Sequence, residues 1–225
     1  MEQGRFSVEG RPCTLLGPTD AEVLLLQPVN DQEQRLLERQ AALLAQHTDR
    51  RFALAAFAVE DWNDDLSPWP APAVWGDQAF AGQARQTLDF VTGKLLPALS
   101  SHPHRVVLGG YSLAGLFALW AASRTDLFAG VAACSPSVWF PGWMEYLRGN
   151  PLQTDFVYLS LGDREEKTRN RTMAGVGDTI RAMPPLLTAS RPALRCTLEW
   201  NPGNHFRETD LRMAKGFGWV LNHLP

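Results

Sequence analysis

Short apolar runs alternate along this chain with segments whose apolar residues recur every three or four positions. Glu22 to Gln27 reads as a strand. Asn30, with Glu33 three residues on, is a capping-box signature opening a helix that carries Leu36, Leu37, Leu43 and Leu44 on one face. Phe52 to Val59 is apolar throughout, which suits a strand buried on both faces of a parallel sheet. A loop rich in Trp and Pro follows, and then Phe80, Ala84, Leu88, Val91 and Leu95 recur at helical spacing. Val106 to Leu108 is the next strand, and Leu113 to Ala122 is a helix without a polar face, hence central. Val131 to Cys134 and Phe156 to Leu161 are further strands. Met173, Val176, Ile180 and Met183 predict a helix stopped by Pro184-Pro185. Leu194, Cys196, Leu198 and Trp200 alternate with polar residues, as a half-exposed strand near a sheet edge does. Leu211 and Met213 to Leu224 close the chain as an amphipathic helix.

This β-α-β order requires right-handed crossovers and a mostly parallel sheet with helices on both faces. No repeat, low-complexity tract or Gly/Ser linker divides the chain, so residues 1–225 are expected to form one α/β domain. Composition agrees with that class: 45% of residues are hydrophobic and 20% charged, which excludes disorder and fibrous repeats. The formal net charge of −3 gives no electrostatic reason to expect nucleic acid or an anionic membrane as partner. No stretch reaches the ~18 apolar residues of a membrane span. Met1 to Arg11 is polar and lacks the apolar core of a signal peptide, and Cys13, Cys134 and Cys196 are odd in number and far apart. A soluble cytoplasmic chain with reduced cysteines is the expectation, as monomer or homodimer.

The sharpest chemical signal is Gly109-Gly110-Tyr111-Ser112-Leu113-Ala114-Gly115, where a strand turns into an apolar helix. A serine on so tight a turn needs small residues two positions either side, and Gly110 and Ala114 meet that need. The turn lifts the hydroxyl above the sheet at a helix amino end, where the Leu113 amide and the helix dipole stabilise an oxyanion. The competing reading is a glycine-rich turn that binds a phosphate or nothing. Alanine at 114 departs from the usual Gly-x-Ser-x-Gly, but it is still small.

A serine hydroxyl is a poor nucleophile until a base takes its proton, and imidazole titrates near ~6.5, which suits the task. Of five histidines, topology removes four. His102 and His104 precede the strand that ends at Ser112 and lie at the opposite sheet edge, without the carboxylate or cysteine a metal pair would need. His47 ends the first helix before its strand, and His223 lies in the final helix. His205 follows the last strand in Asn201-Pro202-Gly203-Asn204-His205-Phe206, at the edge where Ser112 stands. The orienting carboxylate falls between them in the order Ser, acid, His, after Phe156 to Leu161. Three compete in Gly162-Asp163-Arg164-Glu165-Glu166-Lys167: Glu165 in the Gly-x-x-Glu register, Asp163 nearest the strand end, and Glu166.

Gly110 to Leu119, Ser135-Pro-Ser-Val-Trp139, Gly162 to Thr168 and Asn201 to Phe206 together resemble the putative-esterase branch of the α/β-hydrolases. That branch is similar to enterochelin (siderophore) esterases and to esterase D, and the resemblance runs from about Leu24 to the carboxyl terminus. It implies an α/β-hydrolase without a large lid domain and serine esterase chemistry on a small-molecule ester, with no metal or organic cofactor.

The second oxyanion donor is expected in the loop Glu60 to Leu66, at the amide of Asp61 or Trp62. The four carboxylates there cap turns rather than bind a cation, since no metal-loop spacing is present. Trp62, Trp69, Trp75, Trp139 and Trp143 fall in two loops on the catalytic edge, where rigid aromatic surface suits an aryl, acyl or sugar portion of an ester. At least half of them are expected to pack the loops instead. Pro68, Pro70 and Pro72 stiffen the first of those loops. Tyr111, Trp69, Trp139 and Arg207 are the residues expected to contact substrate; Arg164, Lys167, Arg169 and Arg171 offer further positive charge. Ester hydrolysis through an acyl-enzyme is the expected activity. A thioesterase of the S-formylglutathione hydrolase kind, an acyltransferase, and a silent binding protein on the same fold are the alternatives.

Overall fold

The computed structural model describes residues 3–74, 76–99 and 105–225. It begins with an element outside the sequence expectation: β1 (Gln3–Val8) and β2 (Arg11–Leu16) pair antiparallel across a Glu9-Gly10 turn with both residues at positive φ. Such a turn matches the right-handed twist of the two strands. The hairpin escapes an apolar-pattern reading because β1 is mostly exposed.

β3 (Val23–Val29) leads into α1 (Asp31–Leu44) through the capping box anticipated at Asn30: its side chain accepts from the Gln32 and Glu33 amides, and Glu33 accepts from the Asn30 amide. β4 (Phe52–Ala58) is followed by the short helix α2 (Trp62–Leu66) and by a two-residue pairing of β5 (Pro70–Ala71) with β6 (Phe80–Ala81). Phe80 therefore belongs to a strand rather than to the next helix. That helix starts as α3 (Ala84–Phe90) and runs through a π turn (Val91–Leu95) into α4 (Leu96–Leu99).

The second half contains β7 (Arg105–Tyr111), α5 (Leu113–Arg124), β8 (Phe128–Cys134), α6 (Trp143–Gly149) and β9 (Phe156–Gly162). After a single 3₁₀ turn (Glu165–Lys167) come α7 (Arg171–Ala174), α8 (Val176–Ser190), β10 (Arg195–Asn201) and α9 (Thr209–His223). Pro184 and Pro185 lie inside α8 instead of stopping it. Ile180, Met183 and Leu187 stay buried across the prolines, which holds the helix on the core. The Thr188 hydroxyl donates to the carbonyls of Pro184 (3.0 Å) and Pro185 (3.2 Å).

Eight of the ten described strands form one sheet in the order β1-β2-β4-β3-β7-β8-β9-β10, parallel from β4 through β10. Alternation along β3 shows how both faces are covered: Leu24 and Leu26 face a core shared with α3, α5 and α8, while Val23 and Leu25 face one shared with α1 and α9. Leu113 to Ser123 is buried along its whole length, as a helix without a polar face must be. Parallel strands end at one edge, so the loops after β4, β7, β8, β9 and β10 converge there. The cysteines are free thiols. Among the described residues no helix is long and apolar enough to cross a membrane.

Candidate active site

Ser112 stands between β7 and α5 with φ 58° and ψ −121°, a conformation that L-residues rarely adopt and that only a tightly determined turn retains. Small residues make the turn feasible. A Cβ on Gly110 would lie 2.3 Å from the Ala114 carbonyl, so only glycine fits beneath the helix's first turn. Ala114, the departure from the usual glycine, is fully buried with its methyl inside the turn. The Leu113 amide is among those a helix leaves without an intrahelical acceptor. The Ser112 hydroxyl is hydrogen bonded to that of Ser137 at 3.3 Å.

β9 and β10 end in register at Gly162 and Asn201, which sets their loops side by side. The Asp163 amide donates to the Asn201 carbonyl (2.9 Å), and the Arg164 amide to that of Gly203 (3.2 Å). From this paired base Glu165 and His205 meet: His205 Nδ1 lies 2.7 Å from Glu165 Oε2. The other carboxylate oxygen, Oε1, accepts from Ser135 Oγ (2.7 Å), the Gly162 amide (2.7 Å) and Arg212 Nη1 (2.8 Å). Burial pushes the Glu165 carboxyl up, but the hydrogen bond and charge of His205, with the Ser135 and Gly162 donors, outweigh it and leave the group below its ordinary range. Ionised, Glu165 is acceptor-only, so Nδ1 is the donor in this contact, which leaves Nε2 as the ring nitrogen free to face a hydroxyl.

The two rival carboxylates are occupied elsewhere. Asp163 accepts the Gly203 amide at 2.8 Å and so ties the two loops together. Glu166 forms a two-pronged pair with Arg181, both contacts at 2.8 Å, and that bond holds its carboxyl low.

Ser112, His205 and Glu165 line one cavity of about 280 Å³, together with Ser137, Trp139, Met173, Val176 and Phe206. Arg164 and Lys167 supply its positive charge, and Phe206 is 79% exposed at its mouth. Of the residues expected to contact substrate, only Trp139 is on this wall. Tyr111 is 5% exposed on the α9 side of the sheet, because its side chain leaves β7 opposite to the turn; its hydroxyl donates to the His205 carbonyl at 2.8 Å. Trp69 packs on Phe140 and Tyr146 and donates to the Pro141 carbonyl (2.9 Å), which fixes one loop against another. Arg207 pairs with Glu208 at 3.4 Å outside the cavity. Trp143 is buried in the core. Trp75, His102 and His104 lie outside the described residues.

In the loop after β4, Asp61 caps α2 through the amides of Asn63 and Asp64. Asp65 accepts the amides of Glu60 (3.0 Å) and Asp61 (3.4 Å), and Asp64 accepts that of Ala81 (2.9 Å). Neither Asp61 nor Trp62 lines the cavity. Ser135, Ser137 and Arg212 are the participants that sequence reasoning missed. The serines sit in a quoted motif without an assigned role. Arg212 sits in a helix whose pattern gives no reason to bury a cation.

The family model described as Putative esterase matches residues 29–187, well over half of the chain. Comparison with curated proteins gives no significant match. Among solved structures, the chain resembles an IroE-like serine hydrolase from Shewanella oneidensis, with TM-score 0.80 and 18% identity over 97% of this chain and 79% of that one. The siderophore hydrolase EstA from Aspergillus nidulans superposes with TM-score 0.77 and 17% identity over 98% and 93% of the two chains. The enterobactin esterase FES from Shigella flexneri gives TM-score 0.61 and 17% identity, over 97% of this chain and 58% of that one. At these identities the likeness is one of fold.

Proposed function

The chain belongs to the Putative esterase family and is an ester hydrolase, and on that premise we propose that it works through an acyl-enzyme carried by Ser112, His205 and Glu165. The observation that supports this most is the single cavity lined by all three, with the Glu165 carboxylate directly behind the imidazole. In the reactive rotamer the Ser112 hydroxyl turns from Ser137 to His205 Nε2. Its oxygen attacks the ester carbonyl carbon as its proton passes to Nε2. The Leu113 amide stabilises the oxyanion. His205 then protonates the leaving alcohol. Water attacks the acyl group with His205 again as base, and Glu165 stays ionised throughout.

Trp139 and Phe206 beside Arg164 and Lys167 suit an aryl or acyl ester bearing negative charge. Because two similar structures are named for hydrolysis of siderophores, siderophore esters are the first natural class to assay. The test is hydrolysis of short and long p-nitrophenyl esters beside a thiol ester, followed from pH 9 to pH 4. Turnover of the oxyester, falling as His205 takes up a proton, is expected. A rate flat down to pH 4 contradicts His205 as base, and exclusive turnover of the thiol ester makes the protein a thioesterase.

A further inference from the structure

We propose that Arg212 is the positioning residue that locks the acid's loop to the base's loop and sets where the acid limb of activity falls. The proposal rests on the reading of Ser112, His205 and Glu165 given above. Arg212 projects from the first turn of α9 and is 1% exposed, unlike a surface arginine. Its fork spans both loops. Nη1 donates to Glu165 Oε1 (2.8 Å), Tyr111 OH (3.0 Å) and Ser135 Oγ (3.1 Å). Nη2 donates to the carbonyls of Pro202 (3.2 Å) and Asn204 (3.0 Å), the residues leading to His205. Tyr111, itself held by Arg212, donates to the next carbonyl along, that of His205. One side chain thus fixes the acid directly and three carbonyls of the base's loop, two directly and one through the phenol. A planar guanidinium with five donors can do this, whereas a lysine ammonium with three cannot.

The charge has a second consequence. Arg212 and Glu165 form a buried ion pair with no net charge, so a proton added to His205 brings an unbalanced positive charge into the site. Without Arg212, the buried Glu165 carboxylate is left as an unbalanced negative charge, which favours positive charge beside it.

The other groups around the pair remain when Arg212 is replaced. Facing Glu165 are Ser135 and the Gly162 amide, with the Tyr111 phenol and Cys134 thiol nearby, both kept protonated by burial. Around His205, Tyr111 and Phe206 pack on the ring, Arg164 and Lys167 share its cavity, and Arg207 pairs with Glu208.

The experiment compares kcat, KM and the pH profile of kcat/KM for the wild type, Arg212→Gln, Arg212→Lys, Tyr111→Phe and Glu165→Gln, with folding checked by circular dichroism. Arg212→Gln is expected to lose at least about tenfold in kcat at nearly constant KM, with its acid limb moved to higher pH. Arg212→Lys keeps the charge, so it loses kcat while its limb stays in place. A folded Arg212→Gln with wild-type kcat and limb overturns the proposal. Should neither arginine variant fold, Tyr111→Phe decides: about a threefold to tenfold lower kcat at constant KM supports the clamp, and a wild-type kcat overturns it. Glu165→Gln separates the two levels. If it keeps the wild-type rate, the acid assignment itself fails; if it loses rate while Arg212→Gln does not, only the role of Arg212 fails.

Discussion

His205 Nδ1 stands 2.7 Å from Glu165 Oε2, although the two residues come from loops after different strands, forty positions apart. The neighbouring oxygen of the same carboxylate accepts three further hydrogen bonds, so the Glu165 carboxylate has a fixed orientation before any substrate arrives. Glu165→Gln is therefore expected to lower kcat by about 10³–10⁴-fold, because an amide nitrogen facing Nδ1 favours the wrong tautomer. Asp163→Asn and Glu166→Gln should stay within about threefold of wild type, their carboxylates being bonded to Gly203 and Arg181. Steady-state kinetics on a p-nitrophenyl ester checks all three.

Stability should carry the same signature. The Glu165 carboxyl is held below its ordinary range in the folded protein. Its contribution is therefore complete above the unfolded value near ~4.3 and is lost as pH falls through the lower folded value. Urea denaturation between pH 6 and pH 3 is expected to show a steeper acid loss for the wild type than for Glu165→Gln. Parallel curves would mean that the carboxylate is not stabilised as described.

The cavity wall makes a separate claim. Trp139 lines the cavity and packs on Phe80 and Phe140, while Phe206 stands exposed at its mouth. Trp139→Ala should raise KM about tenfold for aryl esters and leave kcat for a short acetate ester nearly unchanged. Trp69→Ala, whose ring fastens one loop to another, should lower the melting temperature with a smaller effect on KM. The opposite pattern would place the substrate on the other side of that loop.

The turn beneath Ser112 leaves little room for change. A Cβ at position 110 would press on the Ala114 backbone at 2.3 Å, and backbone cannot swing aside as a side-chain end can. Gly110→Val is expected to cost at least about 2 kcal/mol and about 5 °C or more in Tm, and to abolish turnover. A well-folded, active Gly110→Val enzyme would show that the turn is less constrained than its geometry indicates.

Much of this architecture was legible in the chain because burial on both faces leaves a plain mark. Phe52–Ala58 and Leu113–Arg124 carry no polar face, and they lie at the centre of the sheet and in its covering layer. The edge shared by Ser112 and His205 was equally legible, since parallel strands end on one side. The choice among Asp163, Glu165 and Glu166 was not. It depends on side-chain direction, which Ser135 and Arg212 set from other elements. Arg212 itself left no mark, because its partners are two backbone carbonyls and the side chains of Tyr111, Ser135 and Glu165, the last three forty-seven or more positions away. Tyr111 was misread for a related reason: the residue before Ser112 still follows the strand's alternation and points to the α9 side. The β1–β2 hairpin went unseen because a mostly exposed strand lacks the apolar pattern that reveals the others.

The proposed mechanism requires Ser112 to be an activated nucleophile. Mass spectrometry after treatment with a fluorophosphonate probe, on wild type and on Ser112→Ala, tests this. A single adduct on the Ser112 peptide of the wild type, absent from the variant, is the expected result. A folded wild-type protein that takes up no probe, or an adduct that persists in Ser112→Ala, would contradict it.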